Sequence, residues 1–139
     1  MTSPGSRNNH NQQMIEAYRA NHGKVDFPLP LILLTTTGAK SGQPRTTPVA
    51  YSRDGERIVI LASKGGAPTN PDWYHNILAH PDVTVELGDE RFRAHATPVR
   101  DEGEYERVYT QHATEMPGFA EYRKKTTRRI PVIALERVQ

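Results

Sequence analysis

The chain has 139 residues, a formal net charge of +2 at pH 7, a pI near 9.0 and no cysteine. That length supports one domain with a single core, so a cofactor and a substrate would have to share one site. The missing cysteine excludes disulfides, thiolate metal ligands and cysteine nucleophiles. No run of about 20 apolar residues is present to cross a membrane, and no charged-then-apolar leader opens the chain, so a cytoplasmic protein is expected.

Residues 1–9, rich in Ser, Gly, Asn and Pro, read as a flexible N-terminal tail ahead of a single domain at 10–139. From about residue 10 to 22, Met14, Ile15 and Tyr18 fall on one side of a helix, and Gly23 stands just past its end. Leu31 to Thr37 is an unbroken apolar and β-branched run, the pattern of a buried strand. Arg45 to Arg53 alternates, with Thr47, Val49 and Tyr51 on one face, and Asp54-Gly55 is a hairpin turn into a partner strand at Ile58 to Ala62. Asn70-Pro71 predicts a helix start, with Asn70 as cap and Pro71 in the first helical position, and the helix runs through about Ala79. Val83, Val85 and Leu87 alternate into Gly88-Asp89. Phe92, Ala94 and Ala96 alternate on the return, opposite Arg91, Arg93 and His95, making a second antiparallel hairpin. A helix over about 101–113, a turn at Met116 to Phe119, a short helical piece to about Lys125 and a strand from Pro131 to Leu135 complete the order. About six short, mostly antiparallel strands with helices inserted between hairpins predict a mainly β fold, a small, partly open β-barrel.

The turn Gly38-Ala39-Lys40-Ser41-Gly42-Gln43-Pro44-Arg45 combines glycines, a hydroxyl and two cations, which suits an anion such as phosphate as well as an ordinary turn. Ser63-Lys64-Gly65-Gly66 repeats the combination at the end of the third strand. If the second and third strands are hairpin partners, Arg45 and Ser63 lie close together at their far ends and the cations converge. Trp73 and Tyr74 stand at a helix start, where anions and flat ligands are both accommodated, although such a pair also serves as core. His75, His80 and His95 lack metal-ligand spacing, and no metal is expected. The basic segment Arg123, Lys124, Lys125, Arg128 and Arg129 reads as a solvated face and comes with no nucleic-acid motif, so nucleic acid is not an expected partner. The residues thus describe a small barrel suited to an anionic, partly planar ligand, without identifying it.

Four blocks carry a resemblance: Leu33-Leu34-Thr35-Thr36-Thr37-Gly38-x-Lys40-Ser41-Gly42-Gln43-Pro44-Arg45, Ala62-Ser63-Lys64-Gly65-Gly66-Ala67, Asn70-Pro71-x-Trp73-Tyr74-x-Asn76 and Arg129-Ile130-Pro131-Val132. In this order and spacing, over roughly residues 14–136, they resemble the deazaflavin-dependent nitroreductase and quinone reductase family of actinobacteria. The resemblance implies a split β-barrel of the flavin-reductase type and binding of coenzyme F420, an 8-hydroxy-5-deazaflavin with a phosphate and an oligoglutamate tail. It implies hydride transfer from reduced F420 to quinones, nitro compounds or other activated conjugated acceptors. By position it assigns Lys40, Ser41, Arg45, Thr46, Thr47, Pro48, Val49 and Ala50 to the phosphate and ribityl segment. Leu61, Ala62, Ser63, Lys64, Asp72, Trp73, Tyr74, His75, Asn76 and Phe119 become the remaining cofactor contacts.

Met116, Phe119 and Tyr122 match the segment lining the acceptor pocket in that family. Nitroimidazole-activating members carry tyrosines there, and here only Tyr122 keeps the hydroxyl, so flat apolar acceptors such as quinones are expected to be preferred. Ser63 is the expected hydrogen-bond donor to the acceptor oxygen and Tyr122 the expected proton donor. Two other readings fit the same residues: a non-catalytic F420-binding or carrier protein, and a barrel reductase that uses FMN. A lipid quinone as acceptor would bring the protein to the inner face of the membrane, and both a monomer and a homodimer are compatible with the sequence.

Overall fold

The computed structural model describes residues 4–138, with side chains from residue 11 onward. In chain order the elements are α1 (Pro4–Ala20), β1 (Leu31–Thr37), β2 (Pro44–Ala50), β3 (Ser52–Asp54), β4 (Arg57–Leu61), a 3-10 turn at Lys64–Gly66, α2 (Asp72–Ala79), β5 (Asp82–Leu87), β6 (Glu90–Pro98), α3 (Glu102–Glu115), α4 (Gly118–Lys125) and β7 (Val132–Arg137). The strands form one antiparallel sheet in the order β2-β1-β5-β6-β7-β4-β3. Its two outer strands, β2 and β3, are separated in sequence by Tyr51 alone, so the chain must curl the sheet back on itself to connect them. That corner makes the sheet a split barrel.

The burial of each strand follows from what covers its two faces. Ile32 and Leu34 of β1 point into the barrel with Ile58, Ile60, Val83, Val85, Ile133 and Leu135. Leu31 and Leu33 point the other way, against Ile15 and Tyr18 of α1. Covered on both sides, β1 needs the unbroken apolar run that its sequence shows. The outward residues of β4, Val59 and Leu61, pack beneath α3 and α4 with Tyr105, Val108, Tyr109, Met116 and Phe119. By contrast, β6 sends Ala94 and Ala96 inward and leaves Arg91, Arg93 and His95 exposed, the alternation of a half-solvated strand. Trp73 and Ile77 of α2 belong to the barrel interior and so plug one end of it.

Three expectations change. The helix expected from residue 10 begins at Pro4, a residue suited to a first helical position, so residues 4–9 are helix rather than tail; residues 1–3 lie outside the described part. The strand expected over 45–53 is two strands: β2 pairs with β1, and only Ser52–Asp54 pairs with β4. The other edge of β4 is taken by β7, from Ile58↔Leu135 to Leu61↔Val132. The hairpin argument for bringing Arg45 to Ser63 therefore fails, because β2 and β4 are not bonded to each other. Finally, α2 starts at Asp72 with Pro71 as its cap residue, since the Asn70 side chain is engaged elsewhere, by Arg128.

The N-terminal helix is fastened to the hairpin of β5 and β6. Tyr18 donates its hydroxyl toward Leu31 O (3.0 Å) and Glu86 O (3.2 Å) and accepts from the Gly88 amide (2.9 Å). Arg19 grips the Glu86 carboxylate with two nitrogens, at 2.9 and 2.7 Å. Gly23, at φ +86, lies so close to the β5–β6 turn that an added Cβ would stand 2.6 Å from the Gly88 Cα, while Gly88 itself sits at φ +63 with room for a Cβ and is favoured as glycine by that left-handed backbone alone.

Candidate functional site

The turn between β1 and β2 is largely satisfied by its own bonds. Gly38 N donates to Gln43 O (2.8 Å), Gly42 N to Gly38 O (3.0 Å), and Gln43 N to Ser41 Oγ (3.1 Å). Ala39 N donates to Asn76 Oδ1 (2.9 Å), while Asn76 Nδ2 donates to Thr36 Oγ1 (3.1 Å). Four backbone amides are thus engaged within the protein, and Ser41 acts as a turn former. An anion at this turn would be held mainly by side chains. Lys40 and Arg45 are exposed and take part in no ion pair among the described residues. Beyond Arg45, Thr46 to Ala50 of the sheet-edge strand β2 are all half-buried, an open ledge beside the two cations.

The Ser63 loop has a different construction. Lys64, Gly65 and Gly66 all adopt positive φ (49°, 64° and 83°), winding one tight turn in which Gly66 N donates to Ser63 O (2.9 Å) and Ala67 N to Lys64 O (3.1 Å). Ser63 is 6% exposed, yet its hydroxyl bonds no described residue and remains available to a ligand. Lys64 is exposed, with Nζ 3.3 Å from Thr69 Oγ1. Helix α4 sits directly on this turn: a Cβ on Gly66 would lie 3.0 Å from Lys125 Cβ and 3.1 Å from Tyr122 O. Gly66→Ala would force an L residue into a left-handed conformation and push against α4, costing on the order of 2 kcal/mol. A drop in thermal midpoint together with faster amide exchange at Tyr122 and Arg123 is expected; an unchanged midpoint would show that α4 does not rest on the turn.

The link that the failed hairpin argument sought is made by α2. Asn76 fastens α2 to the Gly38 turn, and Arg128 Nη1 fastens Asn70, just ahead of α2, to the Ser63 loop. Among the other sequence-derived residues, Leu61, Ala62 and Trp73 are buried, with Trp73 inside the barrel rather than exposed for stacking. Asp72 and His75 are exposed, and Tyr74 is half-buried. Met116 and Phe119 are 3% and 6% exposed and pack with α3. Tyr122 alone of the expected acceptor segment keeps a partly exposed ring, edge-on to Phe119 at 5.2 Å between centroids.

A groove of about 520 Å³ is lined by Asn70, Tyr74, Arg100, Tyr105 and Arg129, among others, and includes Tyr74 alone of the sequence-derived set. Arg129 is paired there with Glu102 and lies over the Tyr105 ring at 3.8 Å. The ledge and the Ser63 loop carry Lys40, Arg45 and Lys64, which form no ion pair among the described residues, together with the Ser63 hydroxyl; in the groove Arg100 is the cation without an ion pair among the described residues. The described residues contain no cluster suited to a metal ion and no helix long and apolar enough to cross a membrane.

Two groups escaped the sequence reading. Arg128, grouped with its basic neighbours as a solvated face, turns inward and bonds three main-chain carbonyls and Asn70. His112 is fully buried on α3, with Nδ1 2.6 Å from Ser52 Oγ and its ring edge-on to Phe119 at 4.5 Å. Its Nε2 has no partner among the described residues, and burial lowers its pKa to about 4. No spacing signal marks either residue, because both depend on how α3, α4 and the barrel meet.

The family model described as F420H(2)-dependent quinone reductase matches residues 10–137 of this chain. An F420H(2)-dependent quinone reductase of Mycobacterium tuberculosis is 41% identical over 126 residues, covering 86% of this chain and 85% of that protein. A solved F420-H2 dependent reductase is 38% identical, with a TM-score of 0.70, covering 81% of this chain and all of the other. Another solved relative, described as a domain-swapped dimer, is 35% identical with a TM-score of 0.73, covering 96% of this chain and all of the other. The chain belongs to the F420H(2)-dependent quinone reductase family.

Proposed function

We propose that this protein is an oxidoreductase that transfers a hydride from reduced coenzyme F420 to a quinone. The observation that carries the reading in this structure is the pair Lys40 and Arg45, exposed and without carboxylate partners among the described residues, at the head of a half-buried strand ledge. That arrangement fits a ligand with an anionic chain and a flat ring. When bound, F420 supplies the hydride chemistry from its deazaflavin ring.

The chain's own residues bind and orient. Lys40 and Arg45 neutralise the anionic chain, and Arg45 can do so with two parallel N–H bonds. The free edge of β2 from Thr46 to Ala50 runs along the ring. Ser63 Oγ, unbonded among the described residues, donates to the acceptor oxygen as negative charge develops. Tyr122, close above the Lys64–Gly66 turn, is the proton donor, since Met116 and Phe119 of the same segment carry no hydroxyl and are buried. Holding acceptor and ring in contact accounts for the protein's share of the rate. With a single hydroxyl in the acceptor segment, flat apolar quinones are preferred over nitroimidazoles.

The test is direct. Purified protein is mixed with reduced F420 and menadione and the oxidised deazaflavin absorbance is followed, with NADPH and reduced FMN as parallel donors. Oxidation with F420 alone is expected. Turnover with reduced FMN instead would replace the coenzyme, and F420 binding without turnover across an acceptor panel would make the protein a carrier.

A further inference from the structure

Arg128 lies between α4 and β7, and all three of its guanidinium nitrogens donate inward. Nε reaches Ala67 O at 2.9 Å, Nη1 reaches Ala62 O at 3.2 Å and Asn70 Oδ1 at 2.7 Å, and Nη2 reaches Ser63 O at 2.7 Å. These acceptors span the whole loop from the end of β4 to the start of α2. No carboxylate pairs with Arg128 among the described residues, and burial lowers its pKa from the ordinary arginine value. Arg128 is a half-buried cation whose bonds all run to carbonyl and amide oxygens, with no opposite charge to offset its partial loss of water. Its neighbour Arg129, by comparison, is exposed and pairs with Glu102.

The consequence falls on Ser63 and Lys64. The Ser63 carbonyl accepts from both Gly66 N and Arg128 Nη2, which fixes the peptide while the hydroxyl stays unbonded. Lys64 sits at φ +49, a conformation a non-glycine residue holds only when its surroundings impose it. Only a planar fork can gather four acceptors spread over this loop; a lysine ammonium, a point charge with three donors, cannot reproduce that geometry.

We propose that Arg128 is a positioning residue of the coenzyme and acceptor site: its guanidinium holds the Ala62–Asn70 loop in the shape that presents Ser63 Oγ and Lys64 before any ligand arrives. The proposal rests on the functional reading above, in which those two residues meet the ligands. Preorganising the loop removes an ordering cost from binding.

The experiment uses the full chain with Arg128→Ala, Arg128→Lys and Asn70→Ala, and reads F420 affinity by titration, thermal midpoint, and amide exchange at Gly66 and Ala67. Loss of charge-assisted bonds of this kind is expected to weaken F420 binding by about tenfold or more in Arg128→Ala. Added methylguanidinium is expected to restore much of that affinity, whereas Arg128→Lys stays weak. Exchange at Gly66 and Ala67 accelerates in both Arg128 variants with no coenzyme present. Unchanged exchange, or Arg128→Lys binding like the wild type, overturns the proposal. Should Arg128→Ala not fold, Asn70→Ala, which removes one of the four acceptors, is expected to accelerate the same two amides, and unaltered exchange there overturns it equally. Wild-type protein that binds no F420 refutes the functional reading instead, and the exchange data then judge Arg128 independently.

Discussion

Lys40→Ala combined with Arg45→Ala is expected to weaken F420 binding by about a hundredfold or more while leaving the thermal midpoint almost unmoved. Both side chains are exposed and neither pairs with a carboxylate among the described residues, so their removal strands no partner in the folded protein. Hydrogen bonds to charged groups contribute roughly 1.5–3 kcal/mol each, and two of them lost from one anionic chain give about 3–6 kcal/mol. Because the backbone amides at Gly38, Ala39, Gly42 and Gln43 are engaged within the protein, they offer little to replace the lost charge. Exposed cations are also screened by salt, with a Debye length of about 10 Å at 0.1 M. Wild-type affinity should therefore fall as ionic strength rises, and the double variant should be much less salt-sensitive. Titration of both proteins at low and high salt checks this. An unaltered affinity in the double variant would remove the anchor from this turn and move attention to Arg100 in the 520 Å³ groove.

The parts of the fold that could be read from the chain are those whose cause is local. The continuous apolar run of β1 reports a strand covered on both faces, and Gly88-Asp89 between two alternating runs specifies the hairpin of β5 and β6 down to the pair Leu87↔Glu90. The break at Tyr51 has no local cause. Residues 45–53 alternate without interruption, and what divides them is that 45–50 bond β1 while Ser52 and Arg53, with Asp54, cross to the opposite edge of the sheet. The candidate site divides the same way. Lys40 and Arg45 in one turn, and Ser63 in another, are visible because each turn combines glycine, hydroxyl and cation. Arg128 looks identical to the solvated basic residues around it, and only its position behind the Ser63 loop gives it a different set of partners. Trp73 was readable both as a stacking platform and as core, and the closure of the barrel over its indole decides for core.

Acidification from pH 6.5 to 4 is expected to remove roughly 3 kcal/mol of stability through His112 alone. Its pKa falls from 6.5 to about 4 on burial, so the folded protein binds fewer protons than the unfolded chain throughout that window. The stabilisation of the neutral ring is complete above pH 6.5, declines as pH drops, and is fully lost below about 4. Placing the proton on Nδ1 lets the ring donate to Ser52 Oγ and leaves Nε2 a bare lone pair, less costly than a buried N–H without an acceptor. Protonation would create that unsatisfied N–H beside Phe119, in a desolvated pocket with no carboxylate bonded to the ring. The nearby carboxylate on β3, Asp54, is held at about 2 by hydrogen bonds from Arg107 and Arg57, so it stays ionised across this window. Its contribution is present above pH 3.8 and is lost only as pH falls toward 2, which separates the two effects. Denaturant midpoints measured between pH 7 and 4.5 should fall for the wild type and change much less for His112→Gln, whose amide can still bond Ser52 but takes up no proton. An equal slope in both proteins would assign the acid sensitivity to another group. Since His112 supports Phe119, and Phe119 supports Tyr122, the acid-induced loosening should reach the acceptor segment before it reaches the barrel, and turnover should decline at a higher pH than global unfolding.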